Sequence, residues 1–153
     1  MTYITKTWRS LTGGTCPRVA LTHCTEKTSE KFPITIAYQA IKQYAEEGRY
    51  GEVCVDGPMD VKTACDAESG AIKGISSPVV GNADIMIFPD IEAGNTFYKT
   101  ITFFANATVA GMLDGTTAPV VVTSRADSAD SKFYSLAVAC MRSLTPNPSP
   151  AGR

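Results

Sequence analysis

Short apolar runs alternate with amphipathic segments along most of this 153-residue chain. Four apolar runs predict β-strands at residues 18–22, 52–55, 83–88 and 119–123. Three longer segments have apolar residues at helical spacing and predict helices at residues 34–47, 94–111 and 128–142. Strands and helices that alternate in this order are typical of an α/β fold, in which helices cover a mostly parallel sheet.

Two of the predicted strands are followed by turns rich in groups that bind anions. The first turn, residues 88–99, contains Asp90, Asn95 and Lys99, and the second, residues 122–130, reads Val-Thr-Ser-Arg-Ala-Asp-Ser-Ala-Asp. In open α/β sheets, ligands bind outside the carboxyl ends of the strands, where the next helix offers free N–H groups and the positive end of its dipole. We therefore expect both turns to contact substrate.

Composition excludes several other classes of protein. Fourteen basic and fifteen acidic residues give a net charge of -1 without a basic stripe, so we expect no nucleic-acid partner. Apolar stretches are far shorter than the ~20 residues of a membrane helix. The five cysteines are an odd number without CxxC spacing, and no secretory signal or metal-ligand cluster is evident. These features predict a soluble cytoplasmic protein without a metal.

Further runs occur in a fixed order with the two turns: Val-Asp-Gly-Pro at 55–58, Lys-Gly-Ile at 73–75 and Ser-Pro-Val-Val-Gly-Asn-Ala-Asp at 77–84. Together they resemble the phosphate acetyl/butyryltransferase family over roughly residues 15–142. The resemblance implies a partial three-layer αβα fold, similar to isocitrate and isopropylmalate dehydrogenases. It also implies transfer of a short acyl group between coenzyme A and phosphate, with coenzyme A as a substrate, no tightly bound cofactor, and a homodimer.

Members of that family typically have two domains and about twice this length. The resemblance implies that residues 1–14 are the last helix of a longer region, that residues 15–118 are the second domain, and that residues 119–143 return to the first. Most of the first domain would then be missing, and a strand at 119–123 would need another partner or lie on an edge. Residues 144–153 hold three prolines and predict a disordered tail.

The resemblance also implies roles for the second turn. Arg125 would bind phosphate, Ser124 would orient the thiol or stabilise the oxyanion, and either Asp127 or Asp130 would accept the thiol proton. Ser128, Asp90, Asn95 and Lys99 are further candidates for substrate contact. The Ser-Arg-Ala-Asp-Ser-Ala-acidic run favours the butyryl branch of the family.

Each feature also has a purely structural interpretation. The second turn can be an ordinary helix start, with Asp127 or Ser128 as N-cap and Arg125 as a solvated charge. Asp90 and Asn95 can be first-turn residues favoured by the helix dipole, and residues 56–58 predict a tight turn. The chain can be an inactive fragment, or a subunit that needs a partner chain. A general nucleotide-binding module is disfavoured, because the sequence has neither GxxxxGK[ST] nor GxGxxG.

Overall fold

A computed structural model describes residues 1–144. Of the tail predicted at 144–153, Leu144 is the C-cap of α6, and residues 145–153 lie outside the described range. The elements of this range are, in chain order, α1 (Thr2–Thr12), β1 (Arg18–Thr22), α2 (Pro33–Glu46), β2 (Cys54–Met59), α3 (Val61–Cys65), α4 (Ala67–Ile72), β3 (Ile85–Ile87), α5 (Ile91–Phe104) and α6 (Ala129–Ser143). No helix within residues 1–144 has the length and apolar character needed to cross a membrane.

The described chain divides into two compact units. Residues Thr15–Phe97 form the central unit. Residues Tyr3–Gly14 and the described residues from Tyr98 onward form the terminal unit, so that unit is built from two separate parts of the sequence.

The central unit contains a three-stranded parallel sheet in the order β2-β1-β3. Val19 in the middle strand is paired with Val55 on one side and Ile85 on the other. A strand with neighbours on both sides and helices over the sheet has no solvent face, and β1 accordingly has an apolar run of fully buried residues, Val19 to Leu21. The predicted α/β class with a parallel sheet is confirmed.

Apolar contacts and a buried tyrosine hydroxyl join helices to this sheet. Ala20, Met59, Ala64, Val79 and Val80 form one buried cluster that joins the sheet to α3 and the loop before β3. On α2, Tyr38 is almost fully buried, and its hydroxyl donates to the Thr22 carbonyl at 3.0 Å. The buried hydroxyl therefore keeps a hydrogen-bond partner, as burial requires.

The predicted tight turn at residues 56–58 is wrong, because these residues lie inside β2. Strand β2 continues to Met59 and stays paired with β1 through a shift in register between Ala20 and Thr22. Gly57, at φ 141°, allows this close approach, since a Cβ there would lie 2.5 Å from the Leu21 carbonyl oxygen. Because Gly57 has no side chain, β2 continues through residues 56–58, where the Asp-Gly-Pro sequence predicts a turn.

The predicted helix at 94–111 begins earlier and ends earlier than expected. The Asp90 carboxylate accepts a hydrogen bond of 2.7 Å from the Ala93 N–H, which satisfies a free donor at the start of α5. At the other end Asn106 takes φ 49°, and the Ala107 N–H bonds back to the Ile101 carbonyl at 3.2 Å. The left-handed Asn106 and this return bond end α5 at Phe104, well before Gly111.

In the terminal unit, a buried polar network anchors α1. Arg142 of α6 is almost fully buried, and its Nε lies 3.1 Å from the Thr7 hydroxyl and 3.5 Å from the Asp114 carboxylate. The Thr7 hydroxyl also donates to Asp114. Burial raises the pKa of Asp114, but hydrogen bonds from Thr7, the Gly115 N–H and Arg142 outweigh it and lower the pKa below its ordinary value.

The predicted strand at 119–123 does not form. Val120 makes only an isolated antiparallel bridge with Leu113, with N–H to O distances of 2.7 and 3.4 Å. The backbone of this segment has no neighbouring strand within residues 1–144 with which to build a ladder. A run of β-branched residues becomes a strand only when another strand satisfies its backbone groups.

The terminal unit buries little apolar surface. The buried apolar side chains in residues 1–144 belong to the central unit, whereas those buried in the terminal unit are polar: Thr5, Thr7, Ser131, Ser135 and Arg142. Large apolar side chains of the terminal unit lie exposed instead, among them Phe103, Phe104, Val122, Phe133 and Leu136. A self-contained domain shows the opposite pattern.

Candidate active site

The second predicted turn, residues 122–130, is held in shape by the carboxylate of Asp127. One oxygen accepts the Ser124 N–H at 2.7 Å, while the Asp127 N–H donates to the Ser124 carbonyl at 3.1 Å. The other oxygen accepts the Tyr98 hydroxyl at 2.7 Å. The Lys99 ammonium lies 4.0 Å from that oxygen. Asp127 therefore connects the turn to the part of α5 that belongs to the same unit.

These contacts keep Asp127 ionised. The Tyr98 hydrogen bond, followed by the Ser124 N–H, lowers the pKa of Asp127, and the charges of Lys99 and Lys132 act in the same direction. The same bond raises the pKa of Tyr98. A carboxylate with a lowered pKa accepts protons poorly, so the contacts suit Asp127 to positioning the turn more than to taking a proton from a thiol.

Ser128 begins α6 as its N-cap. Its hydroxyl oxygen accepts the Ser131 N–H at 3.1 Å, and its hydroxyl lies 3.0 Å from the Ser131 hydroxyl. The structural interpretation of this residue is therefore the observed one, and a direct contact with substrate stays a prediction. Asp130 lies exposed in the first turn of α6, near the positive end of the helix dipole.

Ser124 and Arg125 occupy the outer part of the turn. The Ser124 hydroxyl oxygen accepts the Ala126 N–H at 3.3 Å, and the residue is half-buried. Arg125 is exposed. A guanidinium held at the surface of an ordered turn offers a planar fork of donors, which matches the oxygens of a phosphate group.

The residues of the first turn fall in different units. Asp90 and the exposed Asn95 belong to the central unit, where the Asp90 carboxylate caps α5. Lys99 belongs to the terminal unit, and its ammonium lies 4.4 Å above the Tyr98 ring. Of the eight residues predicted to form the site, the structure brings Ser124 and Lys99 to Asp127 within the terminal unit.

Tyr98 bonds to the second turn, although it is not among the residues predicted for the site. It lies in an aromatic-rich stretch with Phe97, Phe103 and Phe104, which favours a packing role. The hydroxyl was the available signal, since a tyrosine beside a lysine on a helix after a substrate turn can donate to a carboxylate. Its observed role is to hold the Asp127 side chain.

Two of the family-like runs meet in a charged part of the central unit. Lys42 pairs with Asp56 at 2.6 Å beside a cavity of about 180 Å³. Lys73 pairs with both Glu26 and Asp60. Burial raises the pKa of Asp60, but hydrogen bonds from Lys73 and from the backbone and hydroxyl of Thr63 outweigh it and lower the pKa to about 2.

Asp60 makes the stability of the protein dependent on acid pH. The ordinary pKa of 3.8 describes the unfolded chain, and the folded value is about 2. The ionised Asp60 carboxylate therefore contributes its full stabilisation of the folded state above the unfolded pKa, and this contribution is lost as the pH falls through the folded pKa of about 2. We expect urea unfolding to show a loss of roughly 1 kcal/mol over this range, after allowance for solvent screening. Asp60→Asn should remove this component, and an unchanged pH profile in that variant would contradict the assignment.

Comparison with known proteins finds a protein-family model, described as phosphate acetyl/butaryl transferase, that matches residues 4–140. The chain is 42% identical over 125 residues to a phosphate acetyltransferase of Rhizobium meliloti, a match that covers 82% of this chain and 40% of the relative. It is 41% identical over 127 residues to a probable phosphate butyryltransferase of Bacillus subtilis, covering 83% of this chain and 42% of that protein.

The fold is also similar to a solved structure. A branched-chain phosphotransacylase from Enterococcus faecalis V583 superposes with a TM-score of 0.79 and 35% identity, covering 90% of this chain and 51% of that one. The chain thus spans about 40% of the length of the curated relatives described above. The matched residues include both turns and all the family-like runs.

Proposed function

Because this chain belongs to the phosphate acetyl/butyryltransferase family, we propose that it takes part in transferring a short acyl group between coenzyme A and phosphate. Coenzyme A acts as a substrate in this reaction rather than as a bound cofactor. The observation that carries the proposal is the ordered turn at residues 124–130, in which Asp127 is tied to both the Ser124 N–H and the Tyr98 hydroxyl. These bonds leave Arg125 exposed beside Ser124.

In the proposed mechanism Arg125 binds the phosphate. A bidentate contact between its guanidinium and two phosphate oxygens fixes the orientation of the anion. Lys99, with its side chain 48% exposed and its ammonium 4.0 Å from Asp127, adds positive charge within the same unit. The positive end of the α6 dipole contributes further attraction, since the turn leads directly into that helix.

Ser124 and Asp130 are assigned to the acyl-transfer step. The thiolate of coenzyme A attacks the carbonyl of the acyl phosphate, and the Ser124 hydroxyl donates to the oxyanion that develops there. The tetrahedral intermediate then collapses, the C–O bond to phosphate breaks, and inorganic phosphate leaves towards Arg125. Asp130 is our choice for the base that accepts the thiol proton, because it is exposed and Asp127 has a lowered pKa. Asp127 acts on the reaction by positioning Ser124.

We extend the proposal to the butyryl branch, a homodimer and the cytoplasm. The Ser-Arg-Ala-Asp-Ser-Ala-acidic run supports the branch, although relatives with acetyl and butyryl names match this chain about equally. Distinguishing the two acyl chains requires a pocket that is selective for methylene groups, each worth ~1 to 3 kcal/mol. Asp90, Asn95 and Ser128 remain further proposed substrate contacts.

A second candidate is a subunit that becomes active only with a partner chain. The exposed apolar side chains of the terminal unit, and the unformed strand near Val120, support it. Such surface is typical of a face that another polypeptide normally covers. In this case the partner would supply the strands with which residues 119–123 pair.

The test is release of coenzyme A from acetyl-CoA and butyryl-CoA by the purified chain, with and without phosphate. We expect phosphate-dependent release that falls about 100-fold in Ser124→Ala, because an oxyanion donor typically contributes that much. Ser143→Ala removes an exposed hydroxyl from the same unit and serves as the control. No release from a chain shown to be folded by circular dichroism would overturn activity of the chain alone and favour the partner-dependent subunit.

A further inference from the structure

Two cysteines of the central unit lie with their sulfur atoms in contact. The Sγ atoms of Cys16 and Cys54 are 3.7 Å apart, although 38 positions separate them in sequence. The parallel ladder brings them together: Arg18 is the register partner of Cys54, and the Cys54 N–H donates to the Pro17 carbonyl at 3.0 Å. Their proximity is thus fixed by the backbone of β1 and β2 rather than by chance side-chain positions.

The geometry brings the two sulfurs within reach of a covalent bond. A disulfide needs an S–S separation of ~2.05 Å, and the two sulfurs are 3.7 Å apart. The two sulfurs therefore need to move roughly 1.6 Å closer together, which rotation of the cysteine side chains can supply. Both cysteines are half-buried, so a small oxidant reaches them.

The environment of the Cys16 thiol makes it slow to react. Burial, and then the neighbouring Cys54, raises the pKa of Cys16, so this thiol stays protonated at neutral pH. The Arg18 guanidinium, which is held by Asp84, also lies near both sulfurs. Oxidation of this pair is accordingly a slow response to sustained peroxide rather than a rapid one.

We propose that Cys16 and Cys54 form a reversible modification site, at which a peroxide converts the two thiols into an intramolecular disulfide. One thiolate attacks the peroxide O–O bond to give a sulfenic acid and release water after protonation. The second thiol then forms the S–S bond and displaces the sulfenic oxygen as water. In total, two thiols and one hydrogen peroxide yield one disulfide and two waters, and a dithiol reductant reverses the change.

A disulfide between Cys16 and Cys54 would anchor the first residue of β2, an edge strand. β2 lies at the edge of the sheet, and Cys54 is its first residue. Cys54 also lines a cavity of about 320 Å³ with Asp56 and Ser77. A crosslink to the segment before β1 closes a loop across the central unit and restricts its unfolded chain. The oxidised protein should therefore unfold at a higher urea concentration than the reduced protein.

Mass spectrometry of trypsin-digested protein tests the proposal directly, because each of the five cysteines falls in a different tryptic peptide. The folded chain is treated with hydrogen peroxide, its remaining thiols are alkylated, and it is digested without reduction. We expect residues 10–18 to be recovered linked to residues 50–62, in a species that dithiothreitol removes. The exposed cysteines Cys24, Cys65 and Cys140 should appear in no disulfide-linked peptide of the folded chain.

Three serine variants distinguish the pairing of Cys16 with Cys54 from the simple accessibility of the thiols. Cys16→Ser and Cys54→Ser should each abolish the linked species and the rise in urea midpoint, while Cys65→Ser should leave both unchanged. Linkage of another pair in the folded wild-type chain, or no linked species after sustained peroxide treatment, would overturn the proposal. The digest of the wild-type protein decides the matter even if a serine variant folds poorly. Its outcome is independent of the acyltransferase assay.

Discussion

Replacing Arg125 by alanine should weaken the binding of inorganic phosphate by about 10- to 100-fold. The guanidinium is exposed at the surface of a turn that Asp127 holds in place, so its removal deletes the donors without disturbing the support. Charge-assisted hydrogen bonds of this kind contribute ~1.5 to 3 kcal/mol. Titration of the isotopically labelled chain with phosphate, followed by NMR, measures the loss, and a parallel titration with coenzyme A should change much less.

Two further arginine variants sharpen this prediction. Arg125→Lys keeps the charge but loses the planar fork, so we expect phosphate affinity between those of the wild type and Arg125→Ala. Arg49→Ala removes an equally charged, exposed side chain from the central unit and should leave phosphate binding unchanged. Equal losses of phosphate and coenzyme A affinity in Arg125→Ala would contradict the assignment of Arg125 to phosphate.

Gly57→Ala should destabilise the central unit by about 3 to 5 kcal/mol, because two costs act together. The residue has φ 141°, which side chains rarely adopt, and the new Cβ would lie 2.5 Å from the Leu21 carbonyl oxygen and 2.8 Å from the Leu21 Cβ. Leu21 belongs to the fully buried middle strand and has little room to move. The urea midpoint of unfolding measures the effect.

Gly48→Ala provides the matched control. Gly48 also has a positive φ, 74°, but no atom lies within 4 Å of an added Cβ. Only the conformational cost, ~1 to 2 kcal/mol, should then remain. If both alanine variants lose the same stability, the close approach of β2 to β1 contributes nothing, and the steric argument fails.

Local patterns predicted part of the central unit: β1, α2 and β3 were found, whereas α3 and α4 were missed and the strand predicted at 52–55 begins before β2. The apolar run at residues 18–22 and the amphipathic helix at 34–47 correspond to β1 and α2 almost residue for residue. These segments bury their apolar faces within one unit, so the pattern and the packing agree. The turn predicted at 56–58 was wrong because Gly and Pro at those positions serve a close approach between strands, which only the neighbouring strand reveals.

The terminal unit shows the limit of such predictions. The run at 119–123 has the composition of a strand, yet it forms a single bridge, since a strand needs a partner that its own sequence does not specify. Within the site, the side-chain contacts of Asp127 with Tyr98 and Ser124 depend on residues up to 29 positions away. The assignment of residues 15–118 to the family's second domain stays a prediction.

The hydrogen-bond partners of α1 are synthesised long after α1 itself. Thr7 is bonded to Asp114 across 107 positions and to Arg142 across 135. At ~5 to 20 residues per second, a ribosome needs several seconds to make the partners of α1 after α1 itself has appeared. During that interval the whole central unit is synthesised, so it can fold before the terminal unit has all of its parts. The nascent chain therefore carries an unpaired first helix until almost the last of the described residues has emerged.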